Sequence, residues 1–406
     1  MTDKTDNIDI CEYNDSGELV ESNKVKTFEK WDDFDIKPEL LRGIYSVGFE
    51  NPSAIQKRAI QPIIDGRDIL GQAQSGCGKT ATFSIGILQR VNTSIKKTQA
   101  IIISPTHELS LQTYRVIQSL STLMPELVVK TLFGGTSVME DAQDLKTNTP
   151  HIIVGCSGRI YDMAKRKYIH MEDINIFALD EADEMLSRGF KDQIYNIFQF
   201  LNENVQVALF SATMPSEVIE LSKKFLRNPV HVTMKAENLT LECITQYFVA
   251  LPDDHIKYDT VKDLFGQLNV GQCIIYVNSI KRVTDLYQAM IDEGFSVCCI
   301  HSSMQKDERT EAFNQFRIGS FRVLISSDIT ARGIDIQQVS TVINFDIPKN
   351  VATYLHRIGR SGRWGRKGMA INFVTRRDIY LMKNIEQHYK ISIAELPTNF
   401  SNPGEP

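Results

Sequence analysis

Residues 73–80 read Ala-Gln-Ser-Gly-Cys-Gly-Lys-Thr and follow the apolar run Asp-Ile-Leu-Gly-Gln. The spacing is that of a phosphate-binding loop with Ala73 in its first glycine position. Gly76 and Gly78 let backbone N–H groups wrap a phosphate, and Gln74, Ser75 and Cys77 complete the turn. Lys79 brings positive charge to the β- and γ-phosphates, and the Thr80 hydroxyl can ligate Mg2+. The helix that starts here adds the positive end of its dipole. Glycines alone would mark only a small-residue turn. The Gly-Lys-Thr ending after a strand makes the segment a nucleotide site.

Such a loop needs acids to hold magnesium and order water. An apolar strand runs to Leu179, and Asp180-Glu181-Ala182-Asp183 follows. The strand end places Asp180 near the phosphate loop, where it can hold the metal through water. Glu181 is adjacent and can orient or polarise an attacking water. Four such residues alone could be a solvated first helical turn, where acids are favoured; the phosphate loop upstream argues against that reading. Far downstream, Arg357, Arg360, Arg363, Arg366 and Lys367 fall within eleven residues. So dense a cluster needs a counter-charge, and Arg360 and Arg363, three apart, can point the same way on a helical turn.

The elements that must position these groups follow from the pattern of the chain. Its 406 residues suit two domains. Short apolar runs (AIIIS, HIIVG, IFALD, VALFS) alternate with longer amphipathic stretches, as in a parallel sheet with helices on both faces. The alternation restarts after residue 243 with CIIYVN, FSVCCIHS, RVLISSD, TVINFD and MAINFVT. The polar stretch MKAENLTLEC separates the halves, and a linker is expected over 235–243 between domains spanning 28–234 and 244–395. Ligands of open α/β sheets bind outside the carboxyl ends of the strands. Residues 1–21 carry seven acids against Lys4, one at every third position, and residues 1–27 read as a disordered tail. Residues 396–406, rich in Pro, Asn and Gly, read as a second tail. The net charge of -5 excludes binding to nucleic acid through bulk charge, so any such binding must come from local clusters. Seven scattered cysteines form no Cys-x-x-Cys pair, which argues against a disulfide framework or structural zinc. Cys298 and Cys299 read as strand residues. No 18-residue apolar run or signal peptide occurs, which points away from membranes and toward the cytoplasm, with the nucleus left open.

In order and content these segments resemble the DEAD-box RNA helicases, most closely the initiation factor 4A subfamily, over about residues 28–400. The resemblance implies two tandem RecA-like domains, ATP and Mg2+ as cofactors, and single-stranded or short duplex RNA as partner. It implies a monomer, with a scaffold or activator protein as a further partner. It assigns the segment from Trp31 to Gln56 to adenine: Gln56 matches the base edge, Phe49 stacks, and Trp31 stands where the family has its upstream aromatic. Ser211 and Thr213 of Ser-Ala-Thr link ATP state to RNA, and His356 couples the arginine motif to the first domain. Asp335 contacts the ribose, and Arg360 and Arg363 reach the γ-phosphate as arginine fingers. RNA is gripped by its backbone. The matching positions are Pro105, Thr106 and His107; Gly134 and Gly135; Ser157, Gly158 and Arg159; Arg309; and Thr330 and Arg332.

The chain departs from the family pattern at several RNA positions. His107 replaces an arginine, so a constant charge is lost. Cys156-Ser157 replaces Thr-Pro, Ser302 replaces a glycine, and Lys306 stands where the subfamily has glutamine. The expectation is ordinary nucleotide binding with weaker RNA affinity. The alternative implied by the same core is an ATP-gated RNA clamp in a larger complex, which would show slow turnover and a long-lived ternary complex.

Overall fold

The computed structural model describes residues 8–13, 19–21, 26–73, 76–187, 189–234, 244–267, 271–328, 339–361 and 368–397. The chain divides into two compact units, Met1–Lys235 and Ala236–Pro406. The expected linker lies outside the described residues.

The first unit holds β1 (Ile8–Tyr13), β2 (Leu19–Glu21), β3 (Ile69–Gln72), β4 (Ala100–Ile103), β5 (Val129–Leu132), β6 (Ile152–Gly155), β7 (Ile176–Leu179), β8 (Gln206–Ser211) and β9 (Val230–Met234). Their order across the sheet is β2-β1-β9-β3-β8-β7-β4-β6-β5. From β9 to β5 every pairing is parallel. Because side chains alternate across a strand, each strand feeds two cores. Ala100 and Ile102 pack on one face with the helices Pro38–Ser46, Ala54–Ile64, Lys79–Arg90 and His107–Leu120, while Ile101 and Ile103 pack on the other with Ser157–Lys165, Lys191–Phe198 and Ser216–Phe225. This two-sided burial is why the strands read as unbroken apolar runs.

The reading of residues 1–27 as disordered does not hold at β1 and β2. β1 pairs antiparallel with β9, with Ile8 opposite Met234 and Ile10 opposite Val232, and β2 pairs with β1. Within the acids at every third position lies the alternation Ile8-Asp9-Ile10-Cys11, and the free edge of β9 supplies backbone partners.

The second unit holds β10 (Ile244–Ala250), β11 (Gln272–Tyr276), β12 (Val297–Ile300), β13 (Val323–Ser326), β14 (Val339–Asn344), β15 (Gly368–Val374) and β16 (Ala394–Glu395) in the order β12-β13-β11-β14-β15-β10-β16, all parallel. Cys273 and Ile275 face one core, and Ile274 and Tyr276 the other. Cys298 is buried in β12 and its neighbour Cys299 half-buried. Among the described residues no helix is long and apolar enough to cross a membrane.

Sheet order arranges the first unit's chemistry. The carboxyl ends of the adjacent strands β3, β8 and β7 lead into the phosphate loop, Ser211–Thr213 and Asp180–Asp183. Those of the next three, β4, β6 and β5, lead into Pro105–His107, Cys156–Arg159 and Phe133–Thr136. Residues far apart in sequence thus share one rim.

Candidate functional site

The phosphate loop turns on two left-handed glycines, Gly76 at φ +88° and Gly78 at φ +94°. Gly78 also packs tightly: a Cβ there would lie 2.8 Å from Gln56 Nε2. Gln56 is buried, and its side-chain carbonyl accepts the Ser53 N–H at 2.6 Å, closing a capping box at the start of its helix. The Ser53 hydroxyl donates to the Cys77 carbonyl at 2.9 Å, so the Gln56 segment and the loop are fastened together. With its carbonyl engaged, Gln56 presents the amide NH2 toward Gly78.

Lys79 is 5% exposed; its ammonium donates to the Ala73 carbonyl at 2.7 Å and lies 3.3 Å from Glu181 Oε1. The Thr80 hydroxyl donates to Asp180 Oδ2 at 3.4 Å. Three separate segments therefore meet around one cation. Asp180 is 2% exposed; burial and then the neighbouring Glu181 push its pKa up to about 7, with Lys79 pulling the other way. Glu181 sits at φ +50°, one of four described non-glycine residues with positive φ. Such a turn costs about 1–3 kcal/mol and recurs where function demands the geometry. Here it puts two acids side by side directly after β7.

Asp183, which spacing alone did not single out, joins this cluster to Ser211–Thr213. The Thr213 hydroxyl donates to Asp183 Oδ2 at 2.6 Å, and the Asp183 N–H donates to Ser211 Oγ at 3.2 Å. Its place as the second aspartate of Asp-Glu-Ala-Asp was the available signal.

Trp31 departs from expectation. Its ring is 0% exposed, packed in the core with Phe34 at 6.0 Å between centroids and with Phe28 alongside. The 3-10 turn Trp31–Asp33 directs it inward, so it has no face on which a base could stack. Phe49 is half-buried against the same core.

At the other half of the rim, three helices begin. Thr106 Oγ1 accepts the Leu109 N–H at 3.3 Å and caps the helix His107–Leu120; Pro105 is buried beside it. The His107 ring meets Phe133 edge-on, with centroids 3.6 Å apart. Ser137 Oγ caps Val138–Thr147. The helix Ser157–Lys165 has Cys156 at its N-cap, with no side-chain cap, and Ser157 donates to Gln193 Oε1 at 2.7 Å. Burial pushes the Cys156 thiol up to about 11, leaving it protonated. Gly134 and Gly135 are exposed, and a Cβ on either would meet nothing within 4 Å. Gly158 is exposed at the first turn of its helix. Three helix N-termini and a glycine pair on one rim suit phosphate oxygens. Arg159, expected to face RNA, is instead buried with its guanidinium bound to Thr136 and Asp141.

In the second unit Arg309 is half-buried on the helix Lys306–Arg317; burial, and then the charge of Arg309, keep the His301 pKa low. Ser302 is exposed. His356 is buried on the helix Val351–Ile358. Arg360 is 2% exposed and its Nε donates to the His356 carbonyl at 3.2 Å. Arg357 is wholly buried, donating to Asp328 Oδ1 at 2.6 Å, the Asp346 carbonyl at 2.7 Å and Asn278 Oδ1 at 2.7 Å. Its role is internal, a distinction that its place in the basic cluster did not carry. Gln74, Ser75, Lys306 beyond its backbone, Thr330, Arg332, Asp335 and Arg363 lie outside the described residues.

Residues 53–221 match the DEAD/DEAH box helicase family, and residues 256–365 match the helicase conserved C-terminal domain. Eukaryotic initiation factor 4A of Caenorhabditis elegans is 47% identical over 402 residues, 99% of this chain and 100% of that protein. The Drosophila melanogaster factor of the same name is 49% identical, covering 95% of each chain. Saccharomyces cerevisiae Dbp5, solved with RNA and ADP BeF3, aligns with a TM-score of 0.85 at 34% identity, covering 92% of this chain and 96% of that one.

Proposed function

The chain belongs to the DEAD-box ATP-dependent RNA helicases of the initiation factor 4A subfamily, and on that premise we propose how its residues divide the reaction. Lys79 and the N–H groups of Gly76–Thr80, with Gln74 and Ser75 in the same loop, hold the phosphates of ATP. The Gln56 amide reads the adenine edge with Phe49 beside it, and Asp335 takes the ribose. Glu181 orients the attacking water and accepts its proton as oxygen adds to the γ-phosphorus and ADP departs. Arg360 and Arg363 offset charge on the γ-phosphate once ATP and RNA draw the two units together, which requires Arg360 to turn out from beneath His356. Each ligand thereby tightens the other.

Thr80 and Asp180, 3.4 Å apart, are hard oxygen donors suited to Mg2+. Among the described residues no three His, Cys, Asp or Glu side chains converge into a metal cage, which suits an ion that arrives with phosphates. Bound there, it supplies charge neutralisation.

RNA is held by its backbone at Pro105–His107, Gly134, Gly135, Ser157, Gly158, Arg309, Thr330 and Arg332. Ser211, Thr213 and His356 relay its presence to the nucleotide. The proposal extends to a monomer that acts in the cytoplasm, in translation initiation, with a scaffold or activator protein; the names of the curated relatives support the part in translation initiation.

The observation that carries the reading is the cluster of Ala73, Lys79, Thr80, Asp180 and Glu181, drawn from two loops and a helix start. Steady-state ATPase with and without single-stranded RNA tests it. The expected result is hydrolysis stimulated by RNA and reduced about 10²–10⁴-fold in Glu181→Gln. Hydrolysis indifferent to RNA, or to that substitution, would overturn it.

A further inference from the structure

Arg159 follows the helix N-terminus at Cys156, on the rim assigned to RNA, yet every bond of its guanidinium turns inward. Nη1 donates to Thr136 Oγ1 at 2.9 Å and pairs with Asp141 Oδ2, and Nη2 donates to the Thr136 carbonyl at 2.8 Å. The Thr136 hydroxyl in turn lies 2.9 Å from Asp141 Oδ2 and 3.1 Å from the Phe133 carbonyl. Both members of the ion pair are under a tenth exposed. A planar guanidinium that grips one residue by hydroxyl and carbonyl fixes that residue's backbone, which a point charge on a flexible stem cannot do. The residue it grips ends the Phe133-Gly134-Gly135-Thr136 turn, whose exposed glycines face open space where a side chain would stand.

We infer that Arg159 is a positioning residue: with Asp141 it holds the Phe133–Thr136 turn in the shape that offers Gly134 and Gly135 to the RNA backbone, and it does not itself contact phosphate. The inference rests on the RNA reading above. It differs from a direct contact in what Asp141 should do. If Arg159 bound phosphate, Asp141 would compete for it, and removing that carboxylate would strengthen RNA binding. If Arg159 positions the turn, removing Asp141 loosens the turn and weakens binding.

The test is fluorescence anisotropy of a labelled single-stranded RNA with a non-hydrolysable ATP analogue, repeated across a potassium chloride series. Asp141→Asn and Arg159→Gln are each expected to weaken RNA binding about five- to thirty-fold. The double variant should be no weaker than the worse single, because both act on one turn. The salt slopes should parallel that of the parent protein. Under saturating RNA kcat should recover while the RNA KM stays raised, and ATP binding without RNA should be unchanged. Thr136→Val, at an exposed side chain, repeats the perturbation mildly should either buried variant fail to fold. Tighter RNA binding in Asp141→Asn, or a slope reduced by about 0.7 in Arg159→Gln, would overturn the inference in favour of direct contact, and unchanged binding in Asp141→Asn would overturn it outright. Absence of RNA binding by the parent protein would overturn both this inference and the RNA reading beneath it.

Discussion

Asp180→Asn should stabilise the nucleotide-free protein, and more so at alkaline pH. Burial and Glu181 raise the Asp180 pKa from 3.8 to about 7, so its ionised form is disfavoured in the folded chain despite Lys79. The sign follows from proton counts. Between about pH 4 and 7 the folded chain holds a proton that the unfolded chain has lost, so stability falls as pH rises through this window. The penalty is absent below the unfolded value and complete above the folded one. Integrated with 1.36 kcal/mol per pKa unit, it is about 4 kcal/mol at pH 8 and about 2 kcal/mol at pH 5.5. The amide cannot ionise, so the stability difference between variant and parent should grow by about 2 kcal/mol between those two pH values. The chain supplies its own reporter. Of its two tryptophans, Trp31 is fully buried in the first unit, and Trp364→Phe leaves it alone to report that unit's unfolding. Urea melts in chelator-treated buffer, followed by Trp31 emission in both backgrounds, measure the difference directly. A gap that does not widen with pH would refute the reasoning and mean that Lys79 outweighs burial.

The rim departures lead to a second prediction: the combined His107→Arg, Cys156→Thr, Ser157→Pro variant should bind single-stranded RNA more tightly with the KM for ATP unchanged, and equal or weaker binding by anisotropy would refute it. The Cys156→Thr change restores a capping hydroxyl worth about 1 kcal/mol, and proline is tolerated at the first helical position. Gly78→Ala should abolish ATP binding measured calorimetrically, because Gly78 has φ +94° and a Cβ there would strike Gln56 Nε2. Arg357→Lys should destabilise the second unit by about 1–3 kcal/mol in a denaturant melt, since a single ammonium cannot reach both the Asp346 carbonyl and Asn278 Oδ1.

How much was legible in the sequence depended on how local the chemistry is. The phosphate loop could be read because its glycines, lysine and threonine act on one ligand within eight residues. The parallel sheets could be read because strands covered on both faces must be apolar throughout. Trp31 could not be assigned, since the same aromatic at the same spacing serves either a base or a core, and the inward turn of Trp31–Asp33 decides between them. Arg159 and Arg357 could not be assigned either. Their partners Asp141, Thr136, Asn278 and Asp346 are separated from them in sequence, Asp141 by 18 residues and Asn278 by 79, and no spacing rule links them. At β1 the acids hid an ordinary strand alternation.

The order of strands across the first sheet has a consequence for divergence. The altered residues His107, Cys156 and Ser157 all follow β4 or β6, while the ends of β3, β7 and β8 keep the residues that nucleotide chemistry asks for. On the proposed assignment of the β4 and β6 ends to RNA, a lineage can retune its grip on one ligand without revisiting its use of the other. The seam between these two territories is β7 against β4, where the Asp180 N–H bonds the Ile103 carbonyl at 2.9 Å. Substitutions along that seam are the ones that selection cannot treat as belonging to either ligand alone.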